Sequence, residues 1–407
     1  MTAGRERGAV EHHEKDLLGL IDEVGHERIS RQQFVHRALG LGLAASTVGV
    51  LLSACGSKHG ARSASPTASE RIGPTTKPKR VYFYDWWQYV TPGVARDFER
   101  KTGIEVVETY FDEGEALISK LKAGAAGYDV IVPSDYEVSL MIEADLLQPL
   151  AMSYLPNFKY CDAQFREPPY DDPADQGGLR YSVPYLWGAT GYAVRTDKTD
   201  VVALGAWASL WEEKYKGQID MLNDEREDLG AALKVLGFSY NTTDRGQLDQ
   251  ATDKLIEQKP LVRRYGSQSM ARAIADGLPI TMCWNDDATA AIAKLGGDAE
   301  AQSLVKFLVP REGFAWWADC VVIPNGFHNK YAAHLFIDYL LDPEVMGRRS
   351  SFTQLLPPGL GAARPYTDPS VYLTAPTFED MKRAEVILDL GEFGHEYTDA
   401  WVKVKVA

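Results

Sequence analysis

The sequence predicts an α/β protein of two domains whose chemistry sits at the carboxyl ends of strands. Three observations lead there. Short apolar runs alternate with amphipathic ones from about residue 80 onward, the pattern of a sheet layered with helices. Of 407 residues, the 353 from Cys55 to the end suffice for two domains of ordinary size, each with its own core. Several strands, finally, run out into clusters of acidic and aromatic residues, the end of an α/β sheet at which ligands bind.

The central stretch is 81–90, VYFYDWWQYV. Its first residues read as a short buried strand; Asp85, Trp86, Trp87, Gln88 and Tyr89 leave its carboxyl end before Thr91-Pro92-Gly93 opens a helix. Such rings beside a carboxylate suit a cation on an apolar stem, and they equally suit core or lid packing. A helix is expected over 92–101, a strand over 103–110, a helix over 115–123 and a strand over 128–132, which ends in Pro133-Ser134-Asp135-Tyr136-Glu137. Ser134 and Glu137 stand at capping-box spacing, so this turn also reads as a plain helix start. Residues 181–194, YSVPYLWGATGYAV, are apolar with Pro and Gly breaks and suit a passage from one domain into the next.

After an amphipathic stretch over 207–216, a strand over 218–222 runs into Asn223-Asp224-Glu225-Arg226-Glu227 and a helix that ends at Gly237. Asp224 and Glu227 again stand at the spacing of an N-cap and its reciprocal partner. A strand over 278–284 leads to Asn285-Asp286-Asp287 at another helix start. The last long strand, 314–324, carries Asp319 in its middle, where a lone carboxylate needs a partner.

The amino-terminal region has a different character. Residues 1–27 are polar, acidic and without hydrophobic periodicity, as in a disordered extension. Arg28, Arg31 and Arg37 then precede an uncharged run over 38–52, the basic and apolar regions of a secretory signal, too short to span a bilayer comfortably. It closes in Leu52-Ser53-Ala54-Cys55-Gly56, which resembles the lipobox of bacterial lipoproteins and would leave Cys55 as a lipid-modified amino terminus. Ser30-Arg31-Gln32-Gln33-Phe34 is similar to a twin-arginine signal with Gln32 in place of the second arginine, so the export route stays open. Residues 56–79 have the composition of a flexible tether.

Removing residues 1–54 leaves 37 Lys+Arg against 50 Asp+Glu, a net charge of -13 compared with -14 for the whole chain. Such a surface repels nucleic acid and attracts cations. Cys161, Cys283 and Cys320 have no metal-ligand spacing; Cys283 and Cys320 are the pair to test for a disulfide, with buried free thiols the simpler expectation. There is no G-x-S-x-G, phosphate loop or H-E-x-x-H, and His328, His334 and His395 lie scattered beyond the tether. Paired acids without a motif still permit a carboxylate-based hydrolase.

What recurs is an aromatic ring with an acid at separate strand ends, and residues so dispersed converge only across a cleft between domains. The segments YDWWQYVTPGVARDFERKTGIEV, YDVIVPSDYEVSLMIEADLLQPL, YSVPYLWGATGYAV, ASLWEEKYKG, NDEREDLGAALKVLGFSYNTTD and AWWADCVVIPNG, in this order, resemble the spermidine/putrescine-binding proteins of polyamine ABC transporters, from about residue 79 to the end. The resemblance implies a two-lobe periplasmic-binding-protein fold with crossing hinge strands. Lobe 1 is expected over 80–190 and 318–364, and lobe 2 over 191–317 and 365–407, with the ligand between them.

Carried over by motif, Trp86, Tyr89, Trp284 and Trp317 would form an aromatic wall, with Ser134 and Tyr136 near one amine. Asp224 and Glu227 would be the acids of the second lobe, and Asp319 would pair an ammonium. Asp287 matches the acid three residues after the tryptophan in putrescine-type members. Gln88 replaces an acid of the family pattern, Leu355 a tyrosine and Ile387 a glutamine, which leaves the ligand open among putrescine, spermidine, agmatine and other organic cations. The resemblance further implies a monomeric, lipid-anchored partner of a membrane permease, a binding protein and not an enzyme, with no cofactor and no metal.

Overall fold

The structure, a computed structural model, describes residues 79–407 except 87–88, 90, 112–113, 123–126 and 326–328. The leader, the lipobox with Cys55, almost all of the tether, and Gln88 lie outside the described residues.

Among the described residues, ten strands form one sheet: β1 (Arg80–Trp86), β2 (Glu105–Phe111), β3 (Val130–Ile131), β4 (Ser182–Arg195), β5 (Ile219–Met221), β6 (Val262–Tyr265), β7 (Ile280–Trp284), β8 (Val305–Leu308), β9 (Phe314–Val322) and β10 (Ala384–Val386). Their order is β2-β1-β3-β9-β4-β7-β5-β6, with β10 beside β9 and β8 beside β4. The α-helices among the described residues are α1 (Val94–Thr102), α2 (Gly114–Lys122), α3 (Asp135–Glu143), α4 (Glu225–Val235), α5 (Arg245–Gln258), α6 (Met270–Ala275), α7 (Asn285–Lys294), α8 (Ala299–Leu304), α9 (Lys330–Leu340), α10 (Pro343–Thr353), α11 (Leu360–Ala363), α12 (Phe378–Met381) and α13 (Gly394–Val406).

Strand β4 organises the whole. All fourteen of its residues are buried, which explains the unbroken apolar run and the lack of polar alternation. Its first half pairs antiparallel with β9, from Ser182 opposite Val322 to Ala189 opposite Trp316. Its second half pairs antiparallel with β7, from Thr190 opposite Trp284 to Val194 opposite Ile280, and with β8. One strand thus belongs to two half-sheets, in each of which parallel strands with intervening helices make up the remainder.

The cores follow the same division. One cluster joins Phe83, Val130, Leu186 and Trp187 to Phe314, Val321, Phe336 and Val345; a second joins Tyr192, Trp207, Ile219, Met282 and Ile292; a third ties Leu229 and Leu255 to Tyr397 and Val404 of α13. Val371 and Val386 pack in the first cluster, so the segment after residue 364 returns to the first core before α13 reaches the third.

Local chemistry sets the element ends. Gly93 at φ 87° and Gly103 at φ 75° bracket α1, and the Gly103 N–H donates to Glu99 O at 2.7 Å, a left-handed cap that delays β2 to Glu105. The stretch 207–216 forms two 3₁₀ turns, Trp207–Trp211 and Glu213–Tyr215, rather than one α-helix. Cys161, Cys283 and Cys320 are buried free thiols.

Candidate functional site

Where β1, β5 and β7 end and β4 and β9 cross, the described residues enclose a cavity of about 1020 Å³. Trp86, Tyr89, Ser134, Tyr136, Asp224, Glu227, Trp284, Trp317 and Asp319 all line it, so the dispersed strand ends of the sequence do converge. Leu355 and Ile387 line it as well. Seven carboxylates face this space against one guanidinium, Arg226. That guanidinium is occupied elsewhere, donating to Leu388 O at 2.9 Å and Asn241 Oδ1 at 3.0 Å and lying 4.6 Å from the Tyr397 ring centre. The cavity is therefore anionic with aromatic walls.

Asp319 is the acid of the first core. It lies mid-strand on β9, 4% exposed, and receives the Tyr89 hydroxyl on Oδ2 at 2.5 Å and the Ser134 hydroxyl on Oδ1 at 3.0 Å. Ser134 is brought there by an isolated antiparallel bridge to Asp319 itself, while its backbone N–H donates to Glu137 Oε2 at 2.8 Å, the capping-box partner. Capping and site roles thus coexist in one serine. Burial raises the Asp319 carboxyl to about 6, with the Tyr89 and Ser134 donors pulling the other way and the nearby Asp286 charge adding to the rise. Beside it, Asp135 accepts from the Tyr136 N–H at 2.8 Å and from the Ala318 N–H at 3.0 Å, fixing the turn to β9.

Glu227 is the acid of the opposite side, in the first turn of α4 and 5% exposed. Its Oε1 accepts from the Thr190 hydroxyl at 2.6 Å and the Trp284 indole N–H at 3.4 Å. Those two donors are cross-strand partners at the crossing of β4 and β7, which is why they arrive together. Its Oε2 is buried and has no hydrogen-bond partner. Burial, helped by the charge of Asp224, pushes the Glu227 carboxyl up to about 8. Asp224 caps the helix as expected, accepting from the N–H groups of Arg226 at 3.0 Å and Glu227 at 3.1 Å. The reciprocal partner, however, is Asp228, whose Oδ2 accepts the Asp224 N–H at 3.2 Å; Glu227 is released from capping to face the cavity.

Asp287 corrects the sequence expectation. It does not line the cavity: its Oδ1 accepts the Ala271 N–H at 3.3 Å at the start of α6, and the preceding Asp286 lines the cavity in its place. Successive residues at a helix start point about 100° apart, so the docking of α7 decides which one faces in. Asp286 Oδ1 is buried without a hydrogen-bond partner, and burial raises its carboxyl.

Trp317 owes its position to a glycine. Gly188 stands opposite it on β4, and a Cβ there would lie 2.3 Å from Trp317 Cζ2 and 2.8 Å from Asn285 Oδ1. The missing side chain lets the indole lie across the strand while Asn285 accepts the Ala189 N–H at 2.9 Å. Sequence reading missed Thr190, Gly188, Asp286 and Trp401, another lining residue from α13. Only Asp286, next to the residue chosen, carried a visible signal.

Among the described residues no group of acids, histidines and cysteines is placed to hold a metal ion, and no helix is long and apolar enough to cross a membrane.

Residues 93–377 match the model of the bacterial extracellular solute-binding protein family. The chain is 33% identical over 330 residues to the spermidine/putrescine-binding periplasmic protein of Escherichia coli, covering 80% of this chain and 91% of that one. It is 31% identical over 350 residues to a putrescine/cadaverine-binding protein of Pseudomonas aeruginosa, covering 81% and 95%. Among solved structures it is similar to the spermidine/putrescine ABC transporter substrate-binding protein of Streptococcus pneumoniae, with a TM-score of 0.72 and 28% identity over 81% of this chain and 99% of that one. A lipoprotein of Treponema pallidum follows with a TM-score of 0.68 and 26% identity over 81% and 100%. With a family model matched over most of its length and a fold of two half-sheets joined by crossing strands around one anionic cavity, the chain belongs to the bacterial extracellular solute-binding proteins.

Proposed function

We propose that this chain is the solute-binding component of an ABC importer and captures a polyamine, or a similar organic cation with ammonium groups on an apolar stem, between its two lobes. The observation that carries the reading is Glu227 Oε2, a buried carboxylate oxygen without a partner in an aromatic-walled cavity. A buried unpaired acid is costly unless a cation arrives to pair with it. The stem would lie against Trp86, Trp284 and Trp317, with one ammonium at Asp319 and Asp286 and the other at Glu227, through charge-assisted hydrogen bonds and cation–π contact. Closure of the lobes about β4 and β9 would complete the enclosure.

The ligand is delivered chemically unchanged to a membrane permease by a monomer tethered through a lipid on Cys55. The lobes divide near the crossing strands, as 80–190 with 318–364 and 191–317 with 365–407, apart from Phe314, Trp316, Val371 and Val386, which pack in the first core.

Calorimetric titration with putrescine and spermidine tests the binding. Saturable heat with recovery of intact ligand supports the reading; a converted ligand would make the protein a hydrolase, and no response to either would remove polyamines as the solute class. The anchor is tested separately by Cys55→Ala, which should release the protein from membranes uncleaved. Unchanged membrane retention and processing would contradict the lipoprotein reading.

A further inference from the structure

The carboxyl-terminal helix brings a further ammonium environment to the edge of the cavity. The rings of Tyr265 on β6 and Trp401 on α13 stand 5.6 Å apart at 78°. Lys405 places its Nζ 4.9 Å from the Tyr265 ring centre and 5.2 Å from that of Trp401, while donating to Asn223 Oδ1 at 2.7 Å. Two ring faces at a steep angle and one carbonyl oxygen make an ammonium cage. Asn223 and Trp401 also line the main cavity, so the cage opens onto it. Beneath lies Asp228, fully buried, with Oδ1 unpartnered; the Lys405 charge reaches it and opposes the rise that burial imposes on its carboxyl.

We propose that the cage of Trp401, Tyr265 and Asn223 is a further ammonium subsite of the cavity, filled in the empty protein by the chain's own Lys405 and yielded to the distal ammonium of a long ligand. The inference rests on the solute class proposed above. Lys405 acts as a tethered competitor: a short diamine satisfies Asp319 and Glu227 and leaves the cage closed, whereas a triamine must displace Lys405 to place its third charge. The main chain around Lys405 does not depend on its side chain, since Lys259 Nζ donates to Val404 O at 2.9 Å and to Lys405 O at 2.8 Å, and Tyr397 and Val404 anchor α13.

Calorimetry with putrescine and spermidine on wild type, Lys405→Ala, Lys403→Ala and Lys405→Ala/Trp401→Ala tests it. Lys405→Ala is expected to strengthen spermidine binding by about fivefold and leave putrescine unchanged, and Trp401→Ala in that background to remove the gain. Lys403, exposed two residues earlier on the same helix, reports the general effect of one lost charge. An equal change for both ligands, the same change in Lys403→Ala, or no change in Lys405→Ala would overturn the subsite. Should neither putrescine nor spermidine bind wild type, the solute class fails by itself. The cage is then judged by spermidine on Lys405→Ala alone: heat abolished by Trp401→Ala supports it, and none overturns it.

Discussion

The two acids that face each other across the cavity are equally buried and differently satisfied. Asp319 has a neutral donor on each oxygen, Tyr89 and Ser134, both delivered by loops that follow strands of the first core. Glu227 has two donors on one oxygen and none on the other. The consequence appears in their protonation. Asp319, raised to about 6, is mostly ionised at neutral pH, whereas Glu227, raised to about 8, mostly keeps its proton. A preorganised carboxylate is ready for a cation; an under-satisfied one holds a proton in the cation's place and must exchange it.

Removing the charge on the prepared side should cost most. Asp319→Asn preserves size and keeps one acceptor oxygen for Tyr89 or Ser134, the other hydroxyl having to turn and accept from the amide N–H, and it is expected to weaken putrescine binding by roughly 3 kcal/mol or more by calorimetry. Affinity within a factor of about two of wild type would take Asp319 out of the site. Glu227→Gln should cost less, roughly 2 kcal/mol or about thirtyfold, because part of the wild-type affinity is already spent on expelling a proton. The empty variant should be as stable as wild type or slightly more so. The reverse order of these two losses would break the comparison.

Acidity sharpens it. Polyamine amines stay charged well above neutrality, as lysine does, so affinity should rise with pH by up to about tenfold per unit as Glu227 ionises, and level off above about 8. Stability of the empty protein should move oppositely. For an acid raised from 4.5 to about 8, the folded state binds the proton more tightly than the unfolded one. Its contribution is therefore complete below 4.5 and lost as pH climbs through 8. Thermal unfolding across this window, in wild type and Glu227→Gln, should show the slope flattened in the variant.

A smaller effect is expected at Gly188. Alanine there would strike Trp317, so Gly188→Ala should lower stability by about 1–3 kcal/mol and shift tryptophan emission, with ligand affinity falling through the displaced ring. Unchanged emission and affinity would show that Trp317 does not depend on this contact.

Much of this was legible in the residues. Asp319 was conspicuous as an acid inside an apolar strand, and the rings at separate strand ends announced a cleft between two bodies. The apolar run over 181–194 read as a passage between domains, and β4 spans both half-sheets. What stayed hidden depends on direction rather than composition. Asp286 and Asp287 are chemically identical neighbours, and only the seating of α7 against α6 tells them apart. Glu227 and Asp228 follow Asp224 by three and four residues, and the structure uses the latter as reciprocal cap. Thr190 is an ordinary residue in a buried strand until its cross-strand neighbour Trp284 turns out to share a carboxylate with it. Trp401 reaches the cavity from a helix far along the chain, for which no local pattern prepares the reader.

Proton-linked calorimetry addresses the central claim most directly. Putrescine titrated at neutral pH into wild type and Glu227→Gln, in buffers of differing ionisation enthalpy, counts the protons that leave on binding. The account predicts saturable binding with release approaching one proton in wild type and close to none in the variant. Binding without proton release in wild type, or equal release in both proteins, would contradict it.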